Sequence, residues 1–251
     1  MKYIEDIMDI HCHMLPHVDD GADTYKMARK MLRRASRQGV TKIILTPHYR
    51  IDYFETSMEK IKEEFYKMQR MILKMNLDME VYLGCEYHCH NSMVKRLKNG
   101  ERPTLAGSSY VLVEFSSSHN FRTIRNQVYE LIVAGFKPVL AHIERYPCLF
   151  EDKTLELVEE IVNLGGYIQI NANSVLGKSG WKVKRFCRKL MEEDLVSFIA
   201  SDSHDDVYRI PNLGECADYV EKKMGYDYAK RIFVKNPRKI IDDIKTNERK
   251  K

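Results

Sequence analysis

Seven short apolar, β-branched runs punctuate the chain, at residues 7–10, 42–45, 80–83, 110–114, 138–141, 167–170 and 197–200. Runs this short read as buried strands. Between them lie longer stretches with apolar residues at helical spacing, at 24–38, 57–75, 91–98, 124–134, 153–164 and 182–193. Two more helices are expected around 214–223 and after Asn236-Pro237. Gly39, Gly135 and Gly165 stand where helices should stop, because glycine readily takes the left-handed conformation that closes them. Alternating strands and helices imply parallel pairing through right-handed crossovers. Seven units without a composition break predict one domain over residues 1–251. Its class is α/β, a closed barrel one unit short of the TIM type. An open doubly wound sheet is the alternative. No GxGxxG or GxxxxGK loop follows any run, which weakens a nucleotide-binding reading.

The residues following each run carry the chemistry. They are His11-Cys12-His13 with Asp19-Asp20-Gly21, then Thr46-Pro47-His48, then Gly84-Cys85-Glu86, then Glu114. The series continues with His142, Glu144 and Arg145, with Asn171 and Asn173, and with Ser201-Asp202-Ser203-His204. In a parallel barrel the carboxyl ends of all strands share one rim, where active sites form. Imidazoles and carboxylates converging there suit manganese, zinc or iron. Residues two apart on an extended segment point the same way, so His11 and His13 can share one ion while Cys12 faces the packing side. Each element alone has an ordinary structural explanation as a turn or cap; their recurrence at nearly every strand end does not.

Composition narrows the remaining classes. With 44% hydrophobic and 31% charged residues the chain has ordinary globular balance. It contains no apolar run of membrane-spanning length, and Met1–Asp6 is not followed by a signal-like stretch, so a cytoplasmic protein is expected. The six cysteines are scattered without a CxxC pair, which fits free thiols in a reducing compartment. Cys89 is followed by five residues and then Lys95, a spacing that superficially suits a cysteine phosphatase. Lysine replaces the required arginine, however, and 91–94 reads as a helix start, so thiolate chemistry is not expected. The net charge of +5 lies partly in 29–37 and partly in 247–251, read as a solvated helix face and a frayed terminus. No aromatic interleaving suggests nucleic-acid binding. His88 and His90, read as lying at a helix start, and His119 are expected outside the cluster, His17 is a candidate neighbour of it, and Trp181 and the methionines of 58–79 are expected to pack helices.

The stretch from Asp9 to Pro16 followed by Asp19-Asp20-Gly21-Ala22 resembles the opening of PHP-domain (polymerase and histidinol phosphatase) proteins, and more closely the capsular-polysaccharide tyrosine phosphatases of the CpsB/CapC family. Thr46-Pro47-His48, Gly84-Cys85-Glu86, Val113-Glu114-Phe115, Ala141-His142-Ile143-Glu144-Arg145-Tyr146, Ala200-Ser201-Asp202-Ser203-His204 and Asn236-Pro237-Arg238-Lys239 extend that resemblance along nearly the whole chain. It implies a distorted seven-stranded barrel with three divalent ions, usually manganese, with iron, zinc or cobalt as alternatives. By position, His11, His13, Glu86 and Asp202 would hold the first ion. Glu86, Glu114 and His142 would hold the second, and Asp20, His48 and His204 the third. Arg145 and Arg209 would grip the substrate phosphate, although the segment before Arg209 departs from common members. The resemblance further implies a protein-tyrosine phosphatase acting on the tyrosine-rich tail of a capsule-regulating tyrosine kinase, with oligomerisation open. Histidinol phosphate, or another small phosphomonoester, is the alternative substrate. Glu114 speaks against it, since histidinol phosphatases tend to carry histidine there.

Overall fold

Every expected apolar run forms a strand, and all the strands pair in parallel. The computed structural model describes residues 4–248. The strands are β1 (Ile7–Cys12), β2 (Val40–Leu45), β3 (His48–Tyr49), β4 (Glu80–Leu83), β5 (Glu86–His88), β6 (Tyr110–Glu114), β7 (Lys137–Leu140), β8 (Tyr167–Asn171) and β9 (Phe198–Ala200). Strands β3 and β5 resume the directions of β2 and β4 after the short breaks Thr46-Pro47 and Gly84-Cys85. Proline has no amide to donate to a ladder, so the first break falls where expected. One ladder runs β1-β2-β4 and the other β3-β5-β6-β7-β8-β9. Counting each broken pair as one strand leaves seven positions around the ring.

The ring closes between its first and last strands. Cys12 bridges Ser203 in parallel, Asp202 N donates to His11 O, and His13 N donates to Ser203 O, each at 2.9 Å. It is distorted at the amino ends of β4 and β6. There β4 pairs only with β2, and the single helical turn Leu105–Gly107 occupies the gap, with Leu105 buried in the barrel.

Side chains of the inner faces fill the barrel. Met8, Ile10, Ile44, Tyr110, Leu112, Val139, Ala141, Phe198 and Ala200 form one cluster, sealed from below by Leu105 and Ile240. A larger cluster lies between the strands and the surrounding helices. Those helices are α1 (Tyr25–Arg37), α2 (Met58–Lys74), α3 (Met93–Lys98), α4 (Phe121–Val133), α5 (Pro147–Phe150), α6 (Glu156–Leu164), α7 (Ala172–Leu176), α8 (Trp181–Glu192), α9 (Leu213–Met224), α10 (Tyr226–Lys230) and α11 (Asn236–Glu248). Side-chain caps start three of them: Thr24 accepts from Met27 N, Ser57 from Lys60 N and Asn120 from Thr123 N. Gly165 closes α6 at φ 103°.

Several details depart from expectation. The short helices α5, α7 and α10 lack the length for a readable period. His88 lies in β5 rather than at a helix start, half-buried, with Nε2 3.0 Å from Ser116 Oγ. Burial pushes its imidazole down to about 4. Trp181 opens α8 with 67% of its surface exposed rather than buried between helices, whereas Met68 and Met71 are buried as expected. Among the described residues no helix is long and apolar enough to cross a membrane. The basic terminus at 249–251 lies outside the described residues.

Ile240, fully buried against the barrel floor from α11, supplies a test. Ile240→Ala should lower unfolding free energy by about 3 kcal/mol in urea titrations, because the ring beneath the site cannot collapse around the void.

Candidate metal centre

The site begins with an irregularity in β1. Met8 and Ile10 face the barrel cluster, and strict alternation would turn His11 outward. The register between β1 and β2 shifts between Asp9 and Cys12, and this bulge resets the parity. His11 and His13 therefore project into the barrel mouth, and Cys12 packs outward. Buried Asp9 serves the irregular backbone: Oδ1 accepts from Ser201 N at 3.0 Å and from His11 N at 3.4 Å.

Glu86 stands at the centre. Its Oε2 lies 3.0 Å from His11 Nε2, 3.1 Å from His13 Nε2 and 3.1 Å from His48 Nδ1. Its Oε1 lies 2.9 Å from His142 Nε2, which is 3.7 Å from Glu114 Oε1. Asp202 Oδ1 approaches His11 Nε2 and His13 Nε2 at 3.5 and 3.6 Å. On the outer side Asp20 Oδ1 lies 3.5 Å from both His48 Nε2 and His204 Nε2. All nine expected ligand residues meet here, in overlapping groups of potential donor atoms within 4.8 Å of one another: His13, Asp20, His48 and His204; His11, His13 and Asp202; His11, Glu86 and His142; His48, Glu86 and Glu114.

Hydrogen-bond partners on the far sides of the rings show what the cluster is built to hold. His11 Nδ1 is 3.1 Å from Gln169 Oε1, His13 Nδ1 is 2.7 Å from Asp19 Oδ2, and His204 Nδ1 is 3.0 Å from Asp202 O. Each partner is an acceptor, so in their neutral form, the one a bound cation requires, these rings carry their proton on Nδ1 and aim an Nε2 lone pair inward. There they meet carboxylate oxygens and each other, with His11 Nε2 and His13 Nε2 only 3.2 Å apart. Acceptors crowded against acceptors need a cation between them. The residues fit divalent ions for that reason, with the outer partners fixing tautomer and orientation.

Charge leads to the same reading. Five carboxylates of the site (Asp19, Asp20, Glu86, Glu114 and Asp202) face two guanidiniums, Arg145 and Arg209. Burial and the repulsion of Glu86 push the Glu114 carboxyl up to about 7. Burial resists charging His13, but Asp19 and Glu86 outweigh it and raise the imidazole to about 10, so this ring takes up a proton unless a bound cation supplies the positive charge instead. A surplus of buried negative charge is costly unless neutralised, and bound divalent cations would neutralise it.

The rim is completed by Asp202, whose Oδ2 accepts from Arg145 Nη2 at 2.8 Å, Arg209 Nη2 at 2.8 Å and Asn171 Nδ2 at 2.7 Å. His142 and Asp202 both take left-handed backbone, at φ 33° and 48°, a strained choice for non-glycine residues that turns each inward. Sequence reasoning missed Asp19, Gln169 and the role of Asn171. Gln169 did leave a signal, a polar residue at an inward position of an otherwise apolar strand, and Asp19 stood in the Asp-Asp-Gly triplet. Gly21 allows that loop to close, since a Cβ there would lie 2.1 Å from His13 O. His17 is exposed on the same loop with its ring 5.4 Å from Tyr25, and it supplies none of the grouped donor atoms.

Two substitutions test this architecture by metal titration against a chromophoric chelator. Asp19→Asn should weaken binding by about 10- to 100-fold, because it loosens the His13 tautomer without removing a proposed ligand. Gly21→Ala should lose binding of at least one ion while the far side of the barrel stays folded, since the Asp20 loop cannot reach its place.

Known proteins resemble this chain in both sequence and fold. The family described as capsular polysaccharide synthesis, CpsB/CapC, matches residues 7–242. Tyrosine-protein phosphatase CpsB of Streptococcus pneumoniae is 36% identical over 242 residues, covering 94% of this chain and 99% of that protein. Tyrosine-protein phosphatase YwqE of Bacillus subtilis (strain 168) is 31% identical over 219 residues, covering 87% and 85%. A chain from the crystal structures of YwqE and CpsB, described as metal-dependent tyrosine phosphatases, superposes with a TM-score of 0.88 at 29% identity, covering 94% of this chain and 95% of that one. Histidinol phosphate phosphatase of Lactococcus lactis shares the fold, with a TM-score of 0.54 at 15% identity over 88% and 94% of the two chains. Since the match runs from the first strand into the last helix and takes in every strand-end element of the site, the chain belongs to the CpsB/CapC family.

Proposed function

We propose that this protein is a metal-dependent protein-tyrosine phosphatase of the cytoplasm, acting on a phosphorylated tyrosine kinase of capsule or exopolysaccharide assembly. The observation that carries the reading is the inward-facing set of imidazole and carboxylate lone pairs, with two guanidiniums fixed above it. The relatives' names and the family description supply the substrate class. Three ions, manganese first among the candidates, are assigned to His11, His13, Glu86 and Asp202; to Glu86, Glu114 and His142; and to Asp20, His48 and His204. When bound, such ions acidify water and offset phosphoryl charge.

The chain's own residues do the rest. Asp202 engages one Nη2 of each arginine. A guanidinium has five N–H donors, so Arg145 and Arg209 retain several for phosphoryl oxygens without releasing Asp202. Arg145 is about half exposed and Arg209 about one-third, which suits a phosphate arriving on a protein surface. The phosphoryl group passes to water and its bond to the tyrosine oxygen breaks. Cys89 is not poised to intercept it: burial pushes its thiol up to about 12, and its Sγ faces Gln127 Oε1 at 3.5 Å.

Hydrolysis of a phosphotyrosine peptide should be abolished by a chelator and untouched by thiol alkylation. The reverse result would sink the proposal, and hydrolysis of histidinol phosphate in preference to the peptide would replace the substrate. His11→Ala, Glu86→Ala and Asp202→Ala should each leave no measurable turnover. Arg145→Ala should reduce kcat/KM by about 10-fold or more, through lost charge-assisted hydrogen bonds to the phosphoryl group.

A further inference from the structure

Helix α1 carries six cations (Lys26, Arg29, Lys30, Arg33, Arg34 and Arg37) and no carboxylate, more positive charge than the whole chain's net +5. Like charges four apart destabilise a helix, and α1 repeats that spacing at Arg29/Arg33, Lys30/Arg34 and Arg33/Arg37. The structure divides these cations between two faces. On one, Lys30 pairs with Asp206 at 2.5 Å and Arg34 Nε donates to Pro211 O at 2.9 Å, tying α1 to the loop that carries Arg209. On the other, Arg29 and Arg33 look across a groove of about 820 Å³ at Arg70 and Lys74 of α2. The second half of α2, from Tyr66 on, also lacks any carboxylate.

These four cations have no ion-pair partner among the described residues, and all are exposed. The buried carboxylate of α2, Glu64, is already occupied by the Tyr25 hydroxyl, Lys60 and Lys67. Met71 and Met75 give the groove an apolar floor. Its Tyr25 end abuts the metal-site loop, since the Tyr25 ring meets His17 of the loop that carries Asp19 and Asp20.

We propose that this groove is a second docking site that holds an acidic segment of the phosphoprotein substrate while its phosphotyrosine occupies the metal centre. The inference rests on the proposed protein-phosphatase function. A concave slot with cationic walls fits an extended anionic chain, whereas a bilayer would need a convex or flat face. Docking at the groove raises the local concentration of the phosphotyrosine at the mouth and speeds encounter through charge.

The test uses the full-length, metal-loaded enzyme and its charge-reversed variant Arg29→Glu/Arg33→Glu/Arg70→Glu/Lys74→Glu. Three substrates are compared: an aryl phosphate, a phosphotyrosine peptide with neutral flanks, and the same peptide extended by a glutamate run. Wild-type enzyme should favour the acidic peptide over the neutral one. The variant should lose about 10-fold or more in kcat/KM on the acidic peptide only, and added salt should erase the wild-type preference. The milder variant Arg29→Gln/Arg33→Gln/Arg70→Gln/Lys74→Gln should show the same selective loss and serves if charge reversal prevents folding. Equal loss on all three substrates, or none, overturns the proposal. So does wild-type binding to phosphatidylglycerol vesicles that the variant loses while its peptide preference is kept. Anisotropy with a labelled acidic peptide lacking phosphotyrosine reports on the groove alone. Tight binding without turnover of either phosphopeptide would sink the phosphatase reading, and turnover without groove-dependent binding would sink this one.

Discussion

One carboxylate oxygen with three imidazole nitrogens around it cannot be satisfied by hydrogen bonds alone. Glu86 Oε2 is in that position, close to His11, His13 and His48, and in their neutral form two of those rings already commit their proton elsewhere. Much of the surrounding structure serves to hold this unfavourable convergence in place. Asp19 and Gln169 hold the rings from behind. Asn171 and two arginines hold Asp202. The left-handed turns at His142 and Asp202 aim both side chains inward. Repulsion of this kind persists only where the scaffold over-determines it, and here the scaffold is a barrel packed beneath the site and ringed by helices.

The barrel was legible because its signal is long-ranged and repeated. Each strand shows as an apolar run, each crossover as a helical period, and their alternation leaves few topologies. The residues of the cluster were legible because a parallel ring gathers all strand ends, so position after a strand substitutes for position in space. What escaped detection depends on local geometry. The bulge in β1 leaves no compositional trace, so the inward direction of His11 followed from chemistry rather than from counting. The breaks that divide β2 from β3 and β4 from β5 hid the fact that Glu86 and His48 are themselves strand residues. His88 was misplaced for the same reason. Trp181 was misread because one aromatic at a helix start carries no directional information.

The basic face of α1 shows the reverse limit. In sequence it is an ordinary solvated helix. Only the placement of α1 beside α2 turns two separate charge rows into the walls of one groove, and only the Tyr25–His17 contact places that groove beside the mouth. Its meaning lies between elements and not in any one of them.

The closure of the ring at Cys12 and Ser203 has a temporal side. A chain leaving the ribosome presents β1, with two of its proposed metal-binding imidazoles, long before β9 exists to flank it. Until then the site lacks Asp202, His204 and one wall. Because the closing contact joins residues so far apart in sequence, it comes at a high entropic cost, and the last strand is the natural late step in folding. The enzyme is thus assembled so that its complete charge cluster comes into being only after β9 and the loop through Arg209 have been made. A truncated product would carry histidines but no finished catalyst.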